Sequence, residues 1–520
     1  MRRSAPLALL LLASACTVGP NYKQPEPPVP QGYAGPQPVA GGDTQGVDLA
    51  RWWQAFGDPE LTRLIEIGLR QAPDLQTAES RVREARFQVI ATRSAGLPSV
   101  DAKGSAEDIY LKQFGHSDIG QFIQQYTDQS GTAAGGTGTT TGAAAGAAGA
   151  AGGSQALIPS NISLFTAGFD ASWELDIFGG VRRQVEAARA QEAAARWNAR
   201  DARVSLAAEI ASDYLQMRGY QEQARIQAAE ADRQARALSI LEHTAQAGLV
   251  PQGNAIQQRT QLAQARAQIA PLQAQGFLMM HALGVLVGEQ PETLIPELDR
   301  DVPLPQVPPQ IPPGLPIDLI RRRPDVRAAE RQLAAATADI GVAVADLYPK
   351  ISLSAMPQLA TGFLGGFFIG KTFQLTSQGQ IDFPIFDFGA RRATIGARRE
   401  EREQSYIQWR KTVLGALRDV EDALTNIESA RIANQQLVGG VADAQRSLAT
   451  VEAQFKVGLQ TYTPVLNGQQ TLLQTQNSLA QNNVQLRTDI AAYYKALGGG
   501  WSEGDVPPER PVIEDQPKKR

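Results

Sequence analysis

Two stretches of this chain, Gly180 to Gln246 and Ala390 to Lys456, run without a proline and are dense in Ala, Gln, Arg and Glu. Such residues lose little side-chain freedom in a helix, so each stretch predicts one uninterrupted helix. At 1.5 Å per residue each would be about 100 Å long, several times the usual globular length. A small compact domain has no room for it. Rods of this kind must pack lengthwise against others, so the chain predicts a long α-helical assembly.

The two stretches are copies of one plan. Phe178-Gly179 recurs as Phe388-Gly389, and Ala247-Gly248-Leu249 as Val457-Gly458-Leu459, both at an offset of 210 (388 − 178). Upstream, Pro73-Asp74 recurs as Pro324-Asp325 and Leu97-Pro98 as Tyr348-Pro349, at 251 (324 − 73). The difference of 41 (251 − 210) is extra chain in the first copy, between Pro98 and Phe178. Constant offsets over this length mean one structural unit built twice.

Before each rod the apolar period changes to two. Phe165, Ala167, Phe169, Ala171, Trp173, Leu175 and Ile177 alternate with Thr166, Gly168, Asp170, Ser172, Glu174 and Asp176. In the second copy Phe373, Leu375, Ser377, Gly379, Ile381 and Phe383 alternate with Gln374, Thr376, Gln378, Gln380 and Asp382. Partner strands begin near Val100 and Ile351, with looser alternation. One aromatic-bearing face opposite an acidic and amide face fits a water-filled transmembrane barrel; the edge of a soluble β-sandwich is the competing reading. Four strands cannot close a barrel, since bacterial outer-membrane barrels begin at about eight. An open edge in lipid is not tolerated, so several chains must share one barrel. Outside the leader no apolar run of about 18 residues is read, so no spanning helix is expected.

The N-terminus reads as an export leader. Met1-Arg2-Arg3 is positive, Leu7 to Leu12 is apolar, and Ala13-Ser14-Ala15-Cys16 closes with small residues. This pattern resembles a bacterial lipoprotein cleavage site, in which Cys16 becomes the lipidated first residue; Thr17 rather than Asp after it implies passage to the outer membrane. The alternative is an ordinary leader with an incidental cysteine. A Pro- and Gly-rich strap follows to about Val47. Gly131 to Ser154, made only of Gly, Ala, Thr and Ser, reads as a flexible loop outside the cell, and the Pro-rich, charged segment after Ser502 as a disordered tail.

The division expected is a leader over 1–15, a lipidated strap over 16–50, a first repeat over 51–290, a Pro-rich crossover over 291–315, a second repeat over 316–501 and a tail over 502–520. Within the repeats, strands are expected near 99–110, 163–177, 350–358 and 373–385. Rods are expected over 180–246 and 390–456, with return helices over 254–285 (interrupted near Pro271) and 462–497. Asp58-Pro59 reads as a helix start, with Asp58 as cap.

Chemistry-bearing constellations are sparse. A formal charge of −4 offers no basic field for nucleic acid. His116, His243 and His281 lie in different elements without ligand spacing. Asp419, Glu421 and Asp422 fall mid-rod and read as a solvated or lumen-facing face. No nucleophile–base set or phosphate-cradling loop is found, so the chain reads as neither an enzyme nor a cofactor protein.

Taken together, Cys16-Thr17-Val18-Gly19-Pro20-Asn21-Tyr22, Trp52-Trp53 with Phe56 and Asp58-Pro59, Arg322-Arg323-Pro324-Asp325-Val326 with Ala329-Glu330, Tyr348-Pro349, Phe388-Gly389, Val457-Gly458-Leu459, and Tyr494-Lys495-Ala496-Leu497-Gly498-Gly499-Gly500-Trp501 carry a family resemblance. The chain resembles the TolC-like outer-membrane efflux channels, in the lipoprotein branch that partners resistance-nodulation-division pumps. The resemblance implies a mixed α+β membrane protein: a homotrimer sharing a 12-stranded β-barrel, four strands per chain, continuous with a periplasmic α-helical barrel. It implies a passive conduit for drugs or other small molecules, anchored to outer-membrane lipid, whose closed tip opens when a periplasmic adaptor and an inner-membrane pump dock. Adaptor contacts would fall at the turns Gly248-Leu249 and Gly458-Leu459, and gate positions at Asn254, Gln460, Thr463, Asn467 and Gln470, with Phe455 near the constriction. Where some members carry acids and arginines this chain carries amides, whose hydrogen bonds are weaker than charge-assisted ones. Closure should then be less sensitive to pH and salt than in those members; simple solvated turn residues are the competing reading of these amides. Competing functions are type I protein secretion on the same fold and a coiled-coil surface scaffold without a pore.

Overall fold

The computed structural model describes residues 17–26, 30, 32, 48–110, 161–308, 322–364, 367–502 and 504. The leader, Cys16, most of the strap, the Gly/Ala/Thr/Ser loop, residues 309–321 at the end of the crossover and the start of the second repeat, and nearly all of the tail lie outside the described residues. The chain forms two compact units, and each draws on both sequence repeats. The units therefore cut across the expected division into 51–290 and 316–501. Each repeat supplies a β-hairpin and a set of helices, and folding groups like with like.

The first unit comprises 1–23, 86–190 and 334–403. Its centre is an antiparallel sheet of β1 (Ser99–Tyr110), β2 (Asn161–Leu175), β3 (Lys350–Leu364) and β4 (Phe367–Asp382), in that spatial order. The third strand is longer than the expected 350–358, and the fourth starts earlier and stops earlier than 373–385. Register keeps the faces apart. Ala171 lies opposite Val100 and Ala355, and Ala167 opposite Gly104 and Leu359; Ser172 lies opposite Ser99 and Ser354. A slip of one residue would mix the faces. On the polar face Lys103 pairs with Asp170, and Ser105 Oγ lies 2.7 Å from Thr166 Oγ1. On the apolar face Phe169, Leu359, Phe373 and Leu375 are more than half exposed.

The strap begins on this unit. The Val18 N–H donates to the Phe178 carbonyl (3.2 Å). Arg183, almost fully buried, donates to the Val18 carbonyl (3.0 Å), the Gly19 carbonyl (3.3 Å), Asn21 Oδ1 (2.7 Å) and Glu186 Oε2 (2.7 Å). Gly19 crosses Gly341 so closely that a Cβ on Gly19 would sit 2.5 Å from the Gly341 Cα.

The second unit, 24–85, 191–333 and 404–520, is helical. Helices begin with α1 (Pro59–Gln71) and α2 (Pro73–Ser94), followed by α3 (Gly180–Gln246), α4 (Gln252–Ala267) and α5 (Ile269–Val287). The second copy adds α6 (Pro324–Ala345), α7 (Ala390–Lys456) and α8 (Thr463–Ala496). Both rods, α3 and α7, run 67 residues. The return helix of the first copy breaks at Gln268, between α4 and α5. Pro271 explains the position: it has no N–H for the Ala267 carbonyl four residues back, and its ring crowds that carbonyl.

The core of this unit holds the sequence signatures. Trp52, Trp53 and Phe56 pack with Leu61, Leu64 and Ile65 of α1, and the Trp52 ring stacks on Tyr494 at 5.3 Å. Asp58 caps α1, accepting from the N–H groups of Glu60 (2.8 Å) and Leu61 (3.0 Å) through one oxygen. Its other oxygen accepts from the Tyr214 hydroxyl (2.8 Å), which in turn accepts from Arg218 Nε (3.2 Å). Arg218 also donates to the Arg300 carbonyl (2.9 Å), tying down the chain after α5.

Two expectations need correction. Asp419 is not merely solvated: its carboxylate pairs with Arg323 (3.2 Å), which also holds Asp325 (2.7 Å). And an apolar window does exist: within Gln252–Val287 one 18-residue window has a mean hydropathy of 1.3, enough by length and composition to cross a bilayer. That segment carries the break at Gln268, and Met280, Leu283 and Val287 sit in the core beside Leu61 and Leu64. Core packing accounts for its inward apolar side.

Candidate functional site at the two helix turns

The ends of α3 and α7 are capped alike. Gly248 and Gly458 adopt φ of 73° and 75°, the left-handed region that favours glycine. The Gly248 N–H donates to the Ala245 carbonyl (3.0 Å) and the Leu249 N–H to the Thr244 carbonyl (2.9 Å). In the second turn Gly458 donates to Phe455 (3.0 Å) and Leu459 to Gln454 (2.9 Å), the same pattern 210 residues on (458 − 248). Each turn thereby satisfies its last helical carbonyls and turns its leucine outward. Leu249 is 75% exposed and Leu459 77%.

Behind the turns lies a small core of Leu241, Ala255, Leu448, Val465, Leu466 and Tyr462, drawn from both copies. A buried polar chain runs through it. The Tyr462 hydroxyl donates to Gln258 Oε1 (2.8 Å), Gln258 Nε2 to the Gln234 carbonyl (3.0 Å), and Gln234 Nε2 to Glu230 Oε1 (2.7 Å). Glu230 has no exposed side-chain surface and pairs with Arg233. Burial pushes the Tyr462 hydroxyl up to about 12, with Glu452 and Glu230 adding in the same direction, so it stays a donor.

The residues singled out for the gate fall into two groups. Phe455 is half-buried, with its ring 5.1 Å from that of Tyr462, and Asn254 is half-buried in the first turn of α4, its N–H donating to the Pro251 carbonyl (3.1 Å). Gln460, Thr463, Asn467 and Gln470 are exposed, and the last three share one face of α8 by their spacing. Cys16 lies outside the described residues.

Sequence reasoning missed the polar chain behind the turns. A signal was present: Gln227, Glu230 and Gln234 recur at helical spacing among apolar core positions, and all three are buried. It also missed Arg183, whose partners Val18, Gly19 and Asn21 lie more than 160 residues away in sequence.

Comparison with known proteins agrees with this architecture. The family model described as "Outer membrane efflux protein" matches residues 126–288 and 315–499. Nodulation protein T of Rhizobium leguminosarum bv. trifolii is 29% identical over 503 residues, covering 96% of this chain and 98% of that protein. The pyoverdine export outer membrane protein OpmQ of Pseudomonas aeruginosa is 28% identical over 506 residues, covering 96% and 97%. The solved outer-membrane channel OprN superposes with a TM-score of 0.77 at 28% identity, covering 94% of this chain and 100% of that one. The matched segments take in the strands β2, β3 and β4, both rods and both capped turns, and on that basis the chain belongs to the outer membrane efflux protein family.

Proposed function

We propose that this chain is the outer-membrane duct of a tripartite efflux system: three copies share one twelve-stranded barrel, and their helices form a conduit that ends at the paired turns. The observation that supports this most is the sheet. Its register sorts polar and apolar residues onto opposite faces along four strands, and leaves the apolar face bare. A soluble protein would cover that face; a lipid-facing barrel requires it. A scaffold without a pore would have no use for it.

The turns are the proposed docking point for the periplasmic adaptor and, through it, for a resistance-nodulation-division pump. Burying Leu249 and Leu459 at docking would contribute about 1.5–3 kcal/mol each. The exposed face of Thr463, Asn467 and Gln470 is the proposed gate lining, and Cys16 the proposed site of the lipid anchor.

The test is complementation. A strain lacking the gene should become more susceptible to exported compounds, and the wild-type gene should restore it. Leu249→Asp with Leu459→Asp should leave the protein in the outer membrane but fail to restore export. Full restoration by that double variant would remove the turns from the docking surface. Absence of the wild-type protein from outer membranes would overturn the duct itself.

A further inference from the structure

Ahead of α1 in the helical unit, Leu49–Phe56 forms a 3₁₀ turn. Asp48 caps it, its Oδ1 accepting from the Ala50 N–H (2.9 Å). Within the turn Arg51 leaves helical geometry (φ −131°, ψ 40°), while Trp52, Trp53 and Phe56 pack into the core. Arg51 is exposed and lines a cavity of about 650 Å³. Sites for small organic ligands span about 300–1,000 Å³, so the space suits a molecule rather than a single ion.

Three elements bring a guanidinium to the cavity wall: Arg51 from the turn, Arg70 from the last turn of α1, and Arg203 from α3. Arg203 donates to the Leu69 carbonyl (3.4 Å), occupying an acceptor near the end of α1 that would otherwise repel an anion. Glu66 shares the wall and stands four residues before Arg70, the spacing of a helical ion pair. The two make none. Among the described residues, the side chains of Arg51 and Arg70 have no ion-pair or hydrogen-bond partner.

The surplus of donors continues behind the wall. Arg322 lies within electrostatic reach of Asp48; burial pushes its pKa down, and Asp48 acts against that. Its Nε is buried without an acceptor. So is the indole N–H of Trp53, a residue of the cavity wall that is only 2% exposed. Four guanidiniums are thus set against two carboxylates, Asp48 and Glu66, and Asp48 is already engaged as a cap. The chain as a whole has a formal charge of −4, so this local excess runs against its composition. Buried donors without acceptors and cations without counter-charge are costly, and a bound anion would relieve both. Guanidiniums match carboxylate and phosphate oxygens two at a time.

We propose that this cavity binds a small polyanion, a molecule carrying two or more carboxylate or phosphate groups. Arg51 and Arg70 grip its oxygens, Arg203 keeps the wall between them positive, and Glu66 opposes it, so a single negative charge gains little. Binding ties the 49–56 turn to α1 and α3. The site lies roughly 65 Å along α3 from its capped end, and it does not depend on the duct or on the docking of an adaptor at the turns.

Hydrogen exchange of the full-length protein in mild detergent tests it, with citrate or inorganic pyrophosphate titrated against sodium chloride of equal ionic strength. At least one of the two should slow exchange over residues 49–56 and 66–71 saturably, by about threefold or more. Citrate acting alone assigns the site to carboxylates, and pyrophosphate acting alone to phosphates. Arg51→Gln with Arg70→Gln should weaken binding by at least about tenfold, whereas the equally exposed pair Arg410→Gln with Lys411→Gln should not. Glu66→Gln removes a carboxylate and no donor, so it should tighten binding by about threefold or more. A merely structural role for the arginines gives no such gain. Absence of saturable protection by either anion, or equal protection in the Arg51 and Arg70 double variant, overturns the site. Protection that appears only once residues 503–520 are deleted gives the cavity to the chain's own carboxylates and overturns a free ligand. Should the double variant fail to fold, the Glu66→Gln titration decides, and unchanged or weaker binding there counts against the site.

Discussion

Replacing Tyr462 by Phe removes one hydroxyl from the core behind the turns and leaves the ring, with its contact to Phe455, in place. The loss falls on Gln258, whose Oε1 accepts that hydroxyl at 2.8 Å and is buried with it. A buried acceptor left without its donor costs about 1–3 kcal/mol. Every 1.4 kcal/mol is about tenfold in an opening equilibrium, so hydrogen exchange over residues 455–466 should quicken by roughly 5- to 100-fold. Tyr462→Ala adds loss of the buried ring and should cost about 3–5 kcal/mol. Gln258→Leu should cost less when Tyr462 is already Phe than when it is Tyr, by about 1 kcal/mol, because the two lose the same bond. The effect should be the same at pH 6 and pH 9. Folding raises the Tyr462 pKa above that of a free tyrosine, so its stabilising share is intact below pH 10 and falls only above it. Additive costs for Tyr462→Phe and Gln258→Leu, or unchanged exchange at the second turn, would refute a polar chain that holds the two turns together.

Further outcomes can be checked on the same channel. Asp58→Ala should lower stability by about 2–4 kcal/mol, combining a lost helix cap with a buried Tyr214 hydroxyl and Arg218 left short of an acceptor. Asp58→Asn should cost clearly less in thermal unfolding followed by the fluorescence of Trp52 and Trp53, since it keeps the cap. Burial, reinforced by Glu209, pushes the Asp213 carboxyl up to about 6, so the native state holds its proton after the unfolded chain has released it. Stability should therefore fall as pH rises from about 4 to about 6, and Asp213→Asn should abolish that part of the slope. Arg183→Met retains much of the stem against Gly341 but loses the bonds to Val18, Gly19 and Asn21. Trypsin cleavage after Lys23 should then quicken by at least about tenfold, while the sheet itself persists.

What the sequence disclosed followed from strong periodicity. Both rods are helical because they lack proline and their many strong helix formers outweigh the few interior glycines, and their ends show in Gly248 and Gly458, where a left-handed residue is required. Alternation in β2 gave its faces because each strand face meets a uniform environment. The ends of β3 and β4 were harder to place, since pairing rather than composition decides where a strand stops. Phe383 alternates correctly yet lies beyond the last pair of β4. The long-range polar contacts were not legible: Arg183 reads as a surface arginine of a rod until the strap lies across it, and Asp419 as a solvated acid until Arg323 reaches it. Gln258 and Tyr462 look like turn residues, and only the packing of two distant turns joins them.

Whether several chains share one duct is decided by the mass and shape of the particle extracted from outer membranes in mild detergent. A shared duct should weigh close to three times the 55.8 kDa chain and carry a hollow stalk about 100 Å long, the length set by the rods. A single-chain particle, or an oligomer without a stalk, would contradict it.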